Sequence, residues 1–121
     1  MKKIIGQMLP ALLLLGLFTQ IPSTSRAQGQ VRTIVIHAHR FAFSPSEITL
    51  KKGEPVKLQL ISDDVAHSLL IPGLGINQLV TKAHPAELTV TPENAGDFHG
   101  QCGRFCGSGH GSMLFTVHVK D

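Results

Sequence analysis

An all-β sandwich in a single domain is the fold class this sequence predicts, on three features. Short runs rich in β-branched residues recur from residue 31 to the C-terminus, Gly and Pro signals separate them, and no segment there has convincing helical periodicity. Short strands at this spacing, divided by turn residues, read as a Greek-key β-sandwich.

The elements follow in order. "VRTIVIH" (31–37) is β-branched and opens the series. "EITLKKGEPVKLQLIS" (47–62) holds two strand-like runs around the turn signal Lys52-Gly53. Its second half alternates, with Val56, Leu58 and Leu60 on one face and Lys57 and Gln59 on the other. "AHSLLIP" (66–72) is a short apolar run ended by Pro72-Gly73, and "AELTVTP" (86–92) alternates and stops at Pro92. "AGDFHGQC" (95–102) and "MLFTVHVKD" (113–121) are the last two strand segments. No internal repeat or low-complexity segment interrupts them.

The first 27 residues read differently. Lys2 and Lys3 precede the apolar stretch "MLPALLLLGLF" (8–18), and Ser25 and Ala27 suit the −3 and −1 positions of a cleavage site. That is the pattern of a secretory signal peptide, with an uncleaved anchor as the alternative. A membrane span needs about 20 apolar residues, and Pro10 and Gly16 weaken this stretch further. The expected domain is then residues 28–121, exported to the periplasm or the outer face of the cytoplasmic membrane. Lys2, Lys3 and Arg26 fall in the leader, so eight basic residues face eight acidic ones in the domain. With no basic run longer than Lys51-Lys52, nothing points to nucleic acid.

Between the last two strand segments lies "QCGRFCGSGHGSM" (101–113), which spaces Cys102, Cys106, His110 and Met113 by four, four and three. Those gaps would share one helix face. However, Gly103, Gly107, Gly109 and Gly111 interleave them. Each glycine costs about 1 kcal/mol relative to alanine inside a helix. A tight loop that points two thiols, an imidazole and a thioether at a common point is the better reading. Two cysteines in an oxidising compartment would by default form a disulfide; His110 and Met113 beside them argue for metal instead.

A further strong ligand must come from elsewhere. His67, in "SDDVAHSLLIP", sits where a polar turn enters an apolar strand, at an end of the sandwich. Alone it would be read more simply as a histidine satisfied by hydrogen bonds. Asp63 and Asp64 before it read as a polar turn, one carboxylate of which can orient His67. His37 and His39 share a strand face and read as surface residues, as does His118. Three metal sites fit these residues. Structural zinc would use Cys102, Cys106, His110 and His67 and leave Met113 idle. Mononuclear blue copper would use Cys106, His110, Met113 and His67 and leave Cys102 idle. A binuclear copper site bridged by both thiolates uses all five.

"F-x-F-x-P-x-x-I-x-L-K-K-G-E" (41–54), "DVAHSLLIP" (64–72) and "GDFHGQCGRFCGSGHGSM" (96–113) together resemble the copper-A domain of cytochrome c oxidase subunit II, a cupredoxin fold. The resemblance covers about residues 33–120. It implies that Cys102 and Cys106 bridge two copper ions and that His67 and His110 each bind one. It also implies that Met113 and the backbone carbonyl of Arg104 are the axial ligands. Three departures stand out. Arg104 occupies a position that often carries Glu, the chain has neither Trp nor Tyr, and it has at most one weak candidate span. Many oxidase subunits place an aromatic cluster, including Trp, where electrons enter; Phe41 and Phe43 lie in the comparable region but cannot reproduce an indole. These departures bear on membership of an oxidase complex, not on the copper ligands. The expected function is electron transfer, with a cytochrome or a membrane-bound oxidase as redox partner and no catalytic residues. A copper-delivery protein and a structural disulfide or zinc domain are the alternatives.

Overall fold

A computed structural model describes residues 29–121 and, of the preceding stretch, Gly6 and Gly16; the expected signal peptide lies outside the described residues. Two sheets face each other. The first has the order β2 (Ala42–Ser44), β1 (Arg32–His39), β4 (Val56–Ser62), β7 (Ala86–Val90). The second has the order β3 (Glu47–Lys51), β9 (Leu114–Lys120), β8 (Gly96–Cys102), β5 (His67–Ile71), β6 (Ile76–Val80). Most neighbours are antiparallel, but β1 runs parallel to β4 and β3 parallel to β9. The chain thus crosses between sheets after β2, β3, β4, β6 and β7.

Alternation sets which face each strand buries. In β4 Val56, Leu58, Leu60 and Ser62 point inward, while Lys57, Gln59 and Ile61 face outward. Ile36 and Ala38 of β1 join them from the same sheet, and Leu50, Phe115, Val117 and Val119 oppose them from the other. Phe43 meets Phe115 edge to face across the gap, with ring centroids 5.7 Å apart, a favoured aromatic geometry.

Two strands go beyond the sequence expectation. β6 follows the Pro72–Leu74 turn and pairs with β5 as an edge strand. Only Ile76 and Val80 of its five residues are buried, too sparse a pattern to announce a strand. β2 spans three residues, too few for periodicity to register.

His118, on the outer face of β9, is paired across the ladder with Asp97 of β8, Nδ1 to Oδ1 2.7 Å. That hydrogen bond raises the His118 pKa and lowers that of Asp97. A raised histidine stabilises the fold below its unfolded pKa and loses this as pH rises through the folded value; a lowered aspartate stabilises above its unfolded pKa and loses this as pH falls through the folded value. The pair therefore contributes in full between the ordinary values of 3.8 and 6.5. Asp97→Asn should bring the His118 titration, followed by NMR of the ring, down toward the ordinary histidine value. An unchanged titration would show that Asp97 is not its cause.

Candidate metal centre

The sulfur-rich loop joins the end of β8 to the start of β9, and β5 begins beside it. Cys102 is the last residue of β8 and His67 the first of β5. These strands are adjacent, with Leu69 opposite Cys102, so register alone brings both residues to one end of the second sheet. The Cys102 amide donates to the Met113 carbonyl at 3.0 Å and the Gly103 amide to the Ser68 carbonyl at 3.0 Å. The loop is thereby tied at both ends. Between, a single 3-10 turn, His110–Ser112, turns the chain back toward Cys106.

The result is a paired arrangement of donors. The Cys102 and Cys106 sulfurs lie 3.7 Å apart, both as free thiols. On the Cys102 side stand His67 Nδ1 at 3.9 Å and the Arg104 carbonyl oxygen at 3.0 Å. On the Cys106 side stand His110 Nδ1 at 3.7 Å and Met113 Sδ at 3.4 Å. Ligand atoms of His67, Cys102 and Cys106 all fall within 4.8 Å of one another. His67 and Met113 are fully buried, the two cysteines nearly so, and His110 is half-buried. Each residue singled out from sequence is thus at this end of the sandwich. Other histidines have other partners: His37 and His39 face Asp63, and His99 faces Thr116.

The donor chemistry fits copper: soft sulfur with imidazole, and weak thioether and carbonyl groups completing the set. Burial pushes the Cys106 thiol up to about 11, and the neighbouring Cys102 adds to the rise. A metal bound here would have to displace that thiol proton.

A family model described as the cupredoxin-like domain matches residues 10–114. The chain belongs to that family. Within it, this cupredoxin is similar to cytochrome c oxidase subunit 2 of Thermus thermophilus, 28% identical over 89 residues, 74% of the chain and 66% of the relative. It is also similar to a probable cytochrome c oxidase subunit 2 of Streptomyces coelicolor, 40% identical over 70 residues, 58% of the chain and 22% of the relative. The chain therefore spans two thirds or less of these relatives' length. In fold it resembles the periplasmic domain of subunit II of cytochrome oxidase of Bradyrhizobium japonicum, with a TM-score of 0.68 at 17% identity over 74% of this chain and 84% of that one. The blue copper protein auracyanin A of Chloroflexus aurantiacus shares the fold at a TM-score of 0.58 and 17% identity, over 73% of this chain and 98% of that one.

Around the donors of this cupredoxin lies a second layer that sequence reading reached only in part. Asp64 Oδ1 accepts from His67 Nε2 at 2.7 Å, leaving Nδ1 turned to the sulfurs. Burial by itself would raise the Asp64 pKa; hydrogen bonds from the Arg40 amide, His67 and the Val65 amide outweigh it and hold the carboxyl at about 2. Asp64 is therefore a fixed carboxylate that orients the imidazole. Arg40, which the sequence did not signal, donates its Nε to the Cys106 carbonyl at 3.0 Å and its backbone amide to Asp64 at 2.7 Å. One residue of the first sheet's β1–β2 connection thus braces both ligand segments of the second.

Phe41 is half-buried. It packs under the loop, where a Cβ on Gly109 would come within 2.5 Å of its ring. Phe43 is in the core. Among the described residues the exposed aromatic is Phe105, 77% accessible and 5.8 Å from the His110 ring. It edges an open cleft of about 330 Å³ that Arg40 and Arg104 also line.

Proposed function

We propose that this cupredoxin is an electron carrier with a binuclear copper-A site. One observation carries the reading: the thiol pair has an imidazole and a weak donor at each of its two sulfurs. A mononuclear site would leave Cys102 and the Arg104 carbonyl without a role, and a zinc site would leave Met113 without one. In the binuclear reading the Cys102 and Cys106 thiolates would hold two copper ions together with the His67 and His110 imidazoles, and Met113 and the Arg104 carbonyl would be the weak ligands. Copper supplies the one-electron couple. The chain supplies a fixed ligand frame, buried thiolates and hydrogen bonds to the ligands, which together set the potential. A hydrolytic metal site keeps an open position for water; a site filled by these donors has none.

Similarity to cytochrome c oxidase subunit 2 supports an exported location and a redox partner, either a cytochrome or a membrane-bound oxidase. Among the described residues no helix is long and apolar enough to cross a membrane. Reversible one-electron voltammetry of the copper-loaded protein tests the carrier role. Ready release of copper to an apo acceptor, without reversible redox behaviour, would favour a delivery role instead.

Arg104 gives a prediction of its own. Only its carbonyl approaches a sulfur, and its side chain is exposed. Arg104→Gln should therefore keep both coppers. Arg104→Glu should keep them too but lower the reduction potential, because it replaces a positive field that favours the reduced site. The difference should be largest at low salt, where screening is weakest. With Arg40 in the same cleft, an acidic donor should react faster than a basic one, the advantage fading as salt rises. Faster reaction with a basic cytochrome would contradict this account of Arg104.

A further inference from the structure

On the outer face of the first sheet His37 and His39 point the same way from β1, as alternate strand residues do. Between them stands Asp63, which follows β4. Its Oδ1 lies 2.8 Å from His37 Nδ1 and its Oδ2 lies 4.0 Å from His39 Nδ1. One carboxylate thus turns a separate oxygen to each imidazole. The backbone beneath is fixed: β1 and β4 pair residue by residue from Arg32↔Val56 to Ala38↔Ser62, and the Asp63 amide continues the ladder to the Ala38 carbonyl at 2.9 Å. Among the described residues Asp63 has no Lys or Arg partner; its ion-pair contacts are these two histidines.

We propose that His37, His39 and Asp63 form a second metal site, open to solvent, for a divalent cation of the zinc or copper(II) type. The donor set is right for such ions: two imidazoles and a carboxylate are ligands that both accept, with the remaining positions left to water. The spacing is right as well. The ligand atoms of the three do not yet converge on one point; residues two apart on a strand stand about 6.6 Å apart along it, so a turn of the exposed rings would bring both imidazoles to a common ion at about 2.0–2.1 Å per nitrogen. A cation seated between the Nδ1 atoms would replace the hydrogen bond that now joins His37 to Asp63. The three side chains are 44%, 40% and 45% exposed. The ion therefore has a free entry path, and the rings can turn to meet it without disturbing the core. This site shares no ligand with the thiol pair and stands or falls independently of the copper-A reading.

The test is a Zn(II) titration of the 15N-labelled protein, following each histidine ring by NMR beyond the point at which His67 and His110 stop changing. His37 and His39 should then shift together and saturate, while His84 and His99 stay still. His39→Ala and, separately, Asp63→Asn should weaken this second binding by about tenfold or more. Neither should change the response of His67, which would exclude a general loss of structure. The proposal is overturned if His37 and His39 move no more than His84 and His99, or if both variants bind zinc as the parent does.

Discussion

Replacing either Cys102 or Cys106 by serine should abolish the spectrum of a copper pair that shares one electron. Each thiolate would be a ligand of both metals in the proposed site, and their sulfurs stand 3.7 Å apart with both cysteines buried. A serine oxygen is a hard donor with little affinity for copper(I) and cannot delocalise the charge. Loss should be complete in both variants, not graded. Met113→Leu should be milder, since an axial thioether is weak and acts chiefly on potential; this variant should keep both coppers at a shifted potential. Absorption and electron paramagnetic resonance of the three loaded variants provide the check. An intact spectrum and copper content in Cys102→Ser would show that Cys102 is a bystander.

Gly107→Ala should be the most damaging single-methyl change in the ligand loop. Gly107 has φ +138°, a conformation that L side chains rarely adopt, and a Cβ there would lie 2.8 Å from Cε1 and Cζ of Phe41. Backbone strain of this kind costs about 1–3 kcal/mol, and forcing a packed ring aside costs a similar 1–3 kcal/mol. A destabilisation of about 3 kcal/mol follows, together with weaker copper retention. The loop itself must shift, and the Gly107 carbonyl accepts the His110 amide at 3.1 Å. Gly111→Ala is the control. A Cβ there meets nothing within 4 Å, so its effect should stay within about 0.5 kcal/mol. Adding Phe41→Ala to Gly107→Ala should cost less than the sum of the two single changes, because the ring is one source of the damage. Denaturant midpoints and a copper-competition assay measure both quantities. Equal losses at Gly107 and Gly111 would refute the role given to Phe41.

What could be read from the sequence depended on range. Alternation in Val56–Ser62 is local and shows directly as the buried and outward faces of β4. The sulfur ligands sit within one short segment, so their loop could be recognised from its glycines, and His67 could be placed from the polar-to-apolar change around it. Contacts made across the sandwich left no such trace. Arg40 reaches Cys106 across 66 residues, and no pattern around Arg40 marks it. Phe41 is one of six phenylalanines and looks no different from Phe105, yet one lies beneath the loop and the other faces solvent. β6 was hidden for another reason: an edge strand with two buried residues needs little hydrophobic patterning.

Copper content and electron paramagnetic resonance of the protein reconstituted with copper test the central claim most directly. The binuclear reading predicts about two copper ions per chain at the two-sulfur site. It also predicts a hyperfine pattern in which one unpaired electron is shared equally by two copper nuclei. Because His37, His39 and Asp63 offer a separate place for copper(II), the count should be made with His39→Ala as well as with the parent. One copper at the thiol site with the pattern of a single nucleus, or stoichiometric zinc that copper does not replace, would contradict it.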